Sequence, residues 1–189
     1  MKKRCVWAGN DPLYIAYHDT EWGTPVYDDE TLFEFLLLET FQAGLSWITI
    51  LKKRENFRKA FDNFDYQKIA NYSEEKYDSL LLDAGIIRNK LKIRSAIKNA
   101  QLFIEIQKEF GSFSTYIWSF VDGKPIVNKI KAMQDIPATT ALSDHISKTL
   151  KKRGFKFVGS TIIYAFMQAT GMVNDHAVDC FRYSDIKMD

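Results

Sequence analysis

Cysteine, histidine and proline are scarce in this 189-residue chain, which has two, three and four of them. Two cysteines cannot supply the disulfide framework of a small secreted domain, so we expect the thiols to be reduced or bound to metal. The basic N-terminus lacks a following apolar stretch, which argues against a signal peptide and predicts a cytoplasmic protein. The uncharged run 157–174 contains polar residues and two glycines, which favours a buried core helix over a membrane span.

The positions of the prolines leave residues 26–124 free of this helix breaker. Within that stretch Ile93, Ile97, Ala100 and Ile104 recur at the helical period, which indicates an amphipathic helix. Capping residues and glycines mark the ends of further helices. The predicted helices span residues 28–43, 46–61, 73–83, 89–109, 143–153 and 160–170.

Strand signals are weak. Residues 119–127, SFVDGKPIV, carry the one passable signal for a β-hairpin. The sequence contains no repeats, low-complexity segments or linkers rich in glycine or serine. With 46 % hydrophobic residues the chain can bury a core of its own. We therefore expect an all-α fold in which residues 1–189 form a single domain of two closely packed helical lobes.

The formal net charge of +2 is too small to demonstrate a polyanionic partner by itself. The basic residues are nevertheless clustered, and clustering is what creates a local positive surface for phosphate groups. The clusters are Lys52–Arg54, Arg88–Arg94 and Lys151–Arg153. A nucleic acid is therefore a candidate partner.

Near the C-terminus, His176 and Cys180 stand four residues apart. In a helical turn this spacing places two side chains on one face, where both can bind a metal ion. A closed zinc site needs four ligands, and the candidates for the other two are Cys5 and either His18 or His145. The alternative, ordinary buried thiols and a histidine at a helix end, is equally compatible with the spacing.

Residues 72–97 have the layout of a helix-hairpin-helix. The turn contains Gly85, and the amides of Gly85, Ile86 and Ile87, with the N-terminus of the next helix, can hold a backbone phosphate. The common hairpin consensus is Pro-Gly-Val-Gly, where this chain has Ala84-Gly85-Ile86-Ile87. A plain helical hairpin with a solvated basic face fits the pattern equally well. The basic residues that follow are Arg88, Lys90, Lys92 and Arg94.

In the helical segment over residues 30–47, Glu34 and Glu39 lie about 140° apart around the helix axis. One can face solvent, while the other is directed towards leucine and phenylalanine side chains, where an unpaired carboxylate is costly. Glu39 is therefore a candidate pocket residue, and an exposed glutamate is the alternative. Aromatic residues beside such an acid could stack a nucleobase, although a place in the core is their default interpretation. They are Trp7, Tyr14, Tyr17, Trp22 and Trp47.

Five stretches of the chain closely resemble the 3-methyladenine DNA glycosylase I family, the constitutive alkylation-repair glycosylases of bacteria. They are DPLYIAYHDTEWG (11–23), QAGLSWITILKKRENFRKAF (42–61), DAGIIRNKLKI (83–93), KKRGFKFVG (151–159) and GMVNDH (171–176). The similarity runs in order from residue 5 to about residue 180, which makes it more specific than any single motif.

The resemblance implies a helix-hairpin-helix DNA glycosylase fold, with the helix-hairpin-helix at about residues 74–108 and a zinc site joining the N- and C-terminal segments. The family's four zinc ligands fall on Cys5, His18, His176 and Cys180. His145 matches none of them. Because protein side chains would fill all four positions, the one zinc ion would be structural.

In the family, an acid, a phenol and an indole recognise the excised base, and they fall on Glu39, Tyr17 and Trp47. Trp7 and Tyr14 would line the same pocket. Glu39 is also the expected catalytic residue, because its charge and the face of Trp47 favour a cationic methylated base. The implied DNA contacts are Gln42, Gly44 and Leu45 beside the gap in the duplex, and Gly85, Ile87 and Arg88 in the hairpin.

The implied activity is hydrolysis of the N-glycosidic bond of 3-methyladenine in alkylated double-stranded DNA, which releases the free base and leaves an abasic site. The nucleotide must first be flipped out of the duplex. No lysine falls on the position of a covalent nucleophile, so we expect an enzyme without strand cleavage. We also expect a monomer. One rival is a non-enzymatic helix-hairpin-helix module that binds DNA without releasing a base. Another is a zinc hydrolase, which requires an open coordination position.

Overall fold

Most of the residues that the computed structural model describes, 2–186, lie in α-helices. In chain order these are α1 (Pro12–Thr20), α2 (Asp29–Gln42), α3 (Trp47–Ala60), α4 (Tyr66–Ile69), α5 (Glu74–Leu82), α6 (Lys90–Phe110), α7 (Phe113–Trp118), α8 (Ala141–Arg153), α9 (Ser160–Ala169) and α10 (Phe181–Asp185). Short 3-10 helices cover Val6–Ala8, Asp62–Phe64, Ser119–Val121 and Met133–Asp135. The mainly helical fold predicted from the sequence is confirmed.

Side-chain caps begin three helices where the sequence predicts them. The Asp28 carboxylate accepts a hydrogen bond from the Thr31 amide, and the Ser73 hydroxyl accepts one from the Lys76 amide. The Asn89 side chain accepts from two amides in the first turn of α6. Each bond satisfies an amide that has no acceptor within its own helix.

Two other helix starts differ from the prediction. Helix α8 begins before Ser143, because Thr140 is its N-cap and Ser143 completes a reciprocal capping box in the first turn. Ser46 does precede α3, but its hydroxyl contacts the Thr49 hydroxyl at 2.7 Å and caps no backbone amide. In both places the residue type indicated a helix start, while the bonding partner depended on neighbouring side chains.

Residues 119–127 do not form the predicted β-hairpin. Asp122 adopts a left-handed conformation with φ 53° at the end of the 3-10 helix Ser119–Val121. The extended segment that follows, β1 (Ile126–Val127), pairs in parallel with β2 (Val173–Asn174). The Asp-Gly pair therefore ends a helical turn, and the strand after it pairs with a segment close to the C-terminus.

The core is a single connected cluster of buried apolar side chains over residues 2–186. The predicted stripe of α6 is buried at Ile93, Ile97 and Ala100. Helix α9 packs against α2 and α8, so the uncharged run is a core helix as predicted. No helix within the described part of the chain has the length and apolar character needed to cross a membrane.

The two ends of the chain lie against each other. The Phe181 amide donates to the Lys3 carbonyl at 2.9 Å. The Gly23 amide, just after α1, donates to the Gln168 carbonyl of α9 at 3.0 Å. These bonds bring the N-terminal histidine and cysteine next to the C-terminal pair, and they hold α1 beside α9.

Candidate active site

A cavity of about 360 Å³ lies between α1, the C-terminal end of α2, the start of α3 and α9. The five residues predicted for the base pocket all line it: Trp7, Tyr14, Tyr17, Glu39 and Trp47. Trp22, Gln42, Met133 and Ile136 also line it. The cavity is therefore an aromatic enclosure with one acidic side chain in its wall.

Glu39 lies in the last turn of α2 and is only 3 % exposed. Its carboxylate accepts no hydrogen bond from the residues that the structure describes, and burial raises the pKa of Glu39 to about 8. An unpaired buried carboxyl is costly unless a ligand supplies its partner. The residue is therefore a strong candidate for ligand binding or catalysis.

Glu34 is largely buried and paired, although the sequence predicts that either Glu34 or Glu39 faces solvent. Its carboxylate binds Arg54 at 2.6 Å and Arg58 at 2.8 Å, both on α3. Arg54 also binds Glu21, just after α1, at 2.6 Å. This ion-pair network joins α1, α2 and α3, the helices that carry the phenols, the acid and Trp47 of the cavity wall.

The aromatic rings of the wall contact one another. The Trp7 ring meets the Tyr14 ring edge-on at 5.1 Å and the Trp22 ring edge-on at 4.8 Å. The Tyr17 and Trp47 rings lie 5.5 Å apart. Ring pairs at such distances fix each other's orientation, so the wall is a preformed apolar surface suited to a flat ligand.

Two indole donors in this wall have no acceptor within residues 2–186. The indole N–H groups of Trp7 and Trp47 are buried and find no partner among residues 2–186. Burial, with a further contribution from the charge of Glu39, raises the pKa of Tyr17 and keeps its phenol a donor. The cavity thus offers a carboxyl group, a phenol and two indole donors to the edge of a heterocycle.

Helix α9 forms part of the wall that the sequence interpretation did not include. Thr161, Ala165 and Gln168 line the cavity at positions i, i+4 and i+7. The Gln168 amide donates at 2.8 Å to Asp175, whose carboxylate also accepts from the Tyr164 hydroxyl at 2.6 Å. The spacing is visible in the sequence, but in so apolar a helix it does not reveal which face meets a cavity.

The loop between α2 and α3, residues 43–46, joins two residues of the cavity wall, Gln42 and Trp47. Gly44 has φ 80°, a conformation that side chains other than glycine rarely adopt, and Leu45 is 37 % exposed. The Gln42 side chain donates to the Leu45 carbonyl at 2.5 Å. The three residues predicted to lie beside the gap in the duplex are therefore next to the cavity.

The predicted hairpin turn joins α5 to α6, but two of its amides are already used. The Gly85 amide donates to the Asp83 carboxylate at 2.7 Å, and the Ile86 amide donates to the Asp83 carbonyl at 3.4 Å. The amides of Ile87 and Arg88 have no acceptor within residues 2–186. In this conformation Ile87 and Arg88, and not Gly85, offer the free donors of the turn.

The basic cluster at the start of α6 is only partly available for an external anion. Arg94 is paired with Glu74 at 2.7 Å. Lys92 is buried and bonded to backbone carbonyls at the end of α2. Arg88 and Lys90 are exposed and form no ion pair with any residue that the structure describes. Two of the four predicted cations can therefore meet a phosphate.

The four residues proposed as zinc ligands form one buried cluster that could hold a metal ion, since their ligand atoms all lie within 4.8 Å of one another. Cys5 Sγ lies 3.5 Å from His176 Nδ1, and Cys180 Sγ lies 3.5 Å from His18 Nε2 and 3.7 Å from His176 Nδ1. A tetrahedral zinc ion with ligands at about 2.0–2.3 Å separates neighbouring ligand atoms by about 3.6 Å. The donor set and its spacing therefore fit zinc.

Hydrogen bonds to the outer ring nitrogens orient both histidines. His18 Nδ1 lies 2.8 Å from the Asp19 carboxylate, and His176 Nε2 lies 3.0 Å from the Trp22 carbonyl. Because these acceptors take the ring N–H, the other nitrogen of each ring keeps the lone pair that a metal ion needs. At His18 Nε2 this lone pair faces the Cys5 amide at 3.3 Å. His145 is exposed on α8 and is not part of the cluster, so His18 is the fourth member.

A turn, and not a helix, brings the side chains of His176 and Cys180 together. The chain leaves β2 and turns so that the Cys180 amide donates to the Ala177 carbonyl at 2.8 Å. The Ala177 amide in turn lies 3.4 Å from Cys5 Sγ. The two side chains meet as the spacing predicted, although the local conformation differs.

Known proteins of high similarity cover nearly the whole chain. The family model for methyladenine glycosylase matches residues 7–183. The chain is 52 % identical over 181 residues to DNA-3-methyladenine glycosylase 1 of Escherichia coli (strain K12), covering 96 % of this chain and 97 % of that protein. It is 48 % identical over 180 residues to DNA-3-methyladenine glycosylase of Haemophilus influenzae (strain ATCC 51907 / DSM 11121 / KW20 / Rd), covering 95 % and 97 %.

A solved structure has the same fold. A crystal structure of a tyrosine-to-phenylalanine variant of 3-methyladenine DNA glycosylase I in complex with 3-methyladenine matches with a TM-score of 0.93 and 36 % sequence identity. The match covers 98 % of this chain and 99 % of that one. Family match, sequence identity and fold agree over almost the full length, so the chain belongs to the methyladenine glycosylase family.

Proposed function

We propose that this protein is a DNA glycosylase that flips 3-methyladenine out of alkylated double-stranded DNA and hydrolyses its N-glycosidic bond. The observation that carries the proposal is the unpaired, buried carboxyl of Glu39 in an aromatic cavity. The volume of about 360 Å³ lies at the lower end of the range for small-molecule sites, as suits one base. The relatives' names support the same substrate.

The charge of the substrate explains why the wall contains an acid. A 3-methylated adenine in DNA is cationic, and it leaves the sugar as a neutral base, so it needs little help from a general acid. A cation entering the cavity lowers the pKa of Glu39 and favours its anionic form. The aromatic faces of Trp7 and Trp47 add cation–π attraction. Undamaged adenine is neutral and gains neither contribution.

The hydrogen-bonding groups of the cavity suit the edge of the base. The Glu39 carboxylate can accept from the exocyclic amino group, while the Tyr17 phenol and the buried indole N–H groups can donate to ring nitrogens. These contacts form only after the nucleotide has left the stack, which is easiest at a damaged pair. Binding of the flipped base therefore stabilises the extruded state from which water attacks the sugar carbon.

The DNA itself would be held outside the cavity. Gln42, Gly44 and Leu45 stand in or beside an exposed loop next to the cavity and would occupy the gap left by the flipped nucleotide. In the hairpin, the free amides of Ile87 and Arg88 would bind a backbone phosphate. Gly85 would act through its lack of a side chain, because a Cβ there would lie 3.1 Å from the Asn56 Cβ.

One structural zinc ion would join the chain ends. The buried thiols of Cys5 and Cys180 and the oriented imidazoles of His18 and His176 would hold it. With four protein ligands the ion supplies a cross-link and no reactive water. Its role would be to keep the N-terminal segment, and with it Trp7, Tyr14 and Tyr17, against the rest of the cavity wall.

The residues of the cavity favour a monofunctional glycosylase, which releases the base without cleaving the strand. A glycosylase that also cleaves the strand forms a covalent bond between an amine and the sugar. Among residues 2–186, those that line the cavity include no lysine. We therefore expect the product to be an abasic site in an unbroken strand. The enzyme is expected to act as a monomer.

The proposal is tested by incubating the protein with methylated duplex DNA and counting strand breaks before and after alkali treatment, which cleaves the strand at abasic sites. Breaks that need alkali are expected from the wild type, while breaks without alkali would contradict the monofunctional assignment. DNA binding without any new site would favour a non-enzymatic module. Loss of activity on chelation in a protein that keeps its helical content and DNA affinity would favour a zinc hydrolase.

A further inference from the structure

A buried lysine at the start of α6 links two parts of the proposed DNA-binding surface. The Lys92 ammonium donates to the Phe41 carbonyl at 2.7 Å and to the Ala43 carbonyl at 2.6 Å. Lys92 is only 6 % exposed, so it is not one of the cations that an external phosphate can reach. In the sequence Lys92 belongs to the basic cluster after the hairpin turn, but in the structure its partners are backbone carbonyls at the end of α2.

Both partners lie at the C-terminal end of α2, the helix that carries Glu39. The last carbonyls of a helix have no amide partner within it, and the helix dipole places partial negative charge there. A buried ammonium donates hydrogen bonds to these carbonyls and also offsets the partial negative charge of the helix end. Its partner Ala43 is the first residue of the loop 43–46, which leads into Trp47 at the start of α3. Lys92 therefore holds the point where the cavity wall becomes the exposed loop.

A second lysine makes the opposite connection. Lys53 of α3 donates to the Ala84 carbonyl at 3.1 Å and to the Gly85 carbonyl at 3.2 Å, both in the hairpin turn. Thus α6 reaches to the end of α2, and α3 reaches to the turn before α6. Two pairs of charge-assisted bonds fix the loop 43–46 and the hairpin turn relative to each other.

We propose that Lys92 is a positioning residue for excision, which sets the loop 43–46 in register with the hairpin so that DNA held by the hairpin presents its flipped nucleotide to the cavity. The inference rests on the proposed glycosylase function. Chemistry in a preorganised site is sensitive to displacement, and a misplacement of about 1 Å can cost about a hundredfold in rate. Binding of a free base or of undamaged duplex does not require that register.

The test compares three measurements in Lys92→Met, which keeps an apolar stem and removes the ammonium. Single-turnover release of 3-methyladenine from methylated duplex should slow at least tenfold. The affinities for free 3-methyladenine and for undamaged duplex should change by less than threefold. Lys92→Arg restores donors and charge and should recover the rate to within threefold of wild type. Lys108→Met removes an exposed lysine of the same helix and serves as the matched control.

If Lys92→Met is folded, as judged by its thermal transition, and releases 3-methyladenine at the wild-type rate, the proposal is wrong. A parallel loss of free-base affinity would also overturn it, because the lysine would then act on the cavity. If Lys92→Met does not fold, the side-chain ¹⁵N resonance of Lys92 in the wild type decides. It should shift on addition of an abasic-site duplex and not on addition of free base, and the reverse result refutes the idea. A wild type that releases no base refutes the glycosylase function instead.

Discussion

Replacing Glu39 with glutamine keeps the shape of the side chain and removes its charge, and the burial of the residue sets the size of the effect. In the empty cavity the pKa of Glu39 is about 8, so at pH 7 about nine molecules in ten carry the proton. If the bound base requires the anion, ionisation costs about 1.4 kcal/mol at pH 7 and almost nothing at pH 9.

The hydrogen bond to the Glu39 carboxylate, which the variant loses, can be compared with the cost of ionising Glu39. A hydrogen bond to a charged group is worth about 1.5–3 kcal/mol, which corresponds to about ten- to hundredfold in affinity. The full loss should therefore be seen at pH 9, whereas at pH 7 Glu39→Gln should weaken binding by about tenfold or less. A wild-type affinity that rises between pH 7 and pH 9, beside a flat profile for the variant, is the expected pattern.

Titration of free 3-methyladenine into each protein, followed by calorimetry or tryptophan fluorescence, measures both affinities. Glu30→Gln is the matched control, because Glu30 is an exposed acid in the first turn of the same helix. It should bind the base as the wild type does. Equal affinities of wild type and Glu39→Gln at pH 9 would remove Glu39 from the site, and base recognition would then depend on Tyr17 and Trp47.

Three further predictions follow from the same geometry. Wild-type stability should fall as pH rises from 4.5 to 8, because the folded protein keeps the Glu39 proton that the unfolded chain has lost. Glu39→Gln should lack this slope in a series of thermal melts, and identical slopes would refute the buried acid. Cys180→Ser should lower zinc content and Tm together, with His145→Ala as the control, whereas a folded wild type free of zinc would refute the metal site. Arg88→Ala should reduce the salt dependence of DNA binding by about one phosphate contact, and an unchanged slope would exclude that contact.

Much of the site could be predicted because it depends on residue types that have few ordinary roles. A glutamate in a leucine- and phenylalanine-rich helix must either find a partner or lie in a cavity, and Glu39 lies in a cavity. Scarce cysteines and histidines at the two ends similarly pointed to one cluster, which the structure brings together. The choice between His18 and His145 needed the family resemblance, because spacing alone allowed both.

The rest depends on tertiary contacts that a local pattern does not contain. Lys92 has the same spacing as its exposed neighbours, and only the position of the end of α2 makes it a buried donor. The sequence predicts a Gly85 amide available for a phosphate, but in the structure this amide donates to the Asp83 side chain. The Asp-Gly pair at 122–123 has the residues of a hairpin turn, but the strand after it pairs with β2.

The reaction proposed for this protein is the hydrolytic release of one modified base from DNA. The most direct test is to incubate wild type with methylated duplex DNA, identify the released bases by mass spectrometry, and count abasic sites in the same sample. We expect 3-methyladenine as the released base, one molecule for each abasic site, with no release of unmodified adenine. Absence of free 3-methyladenine from a folded, DNA-binding protein would contradict the proposal.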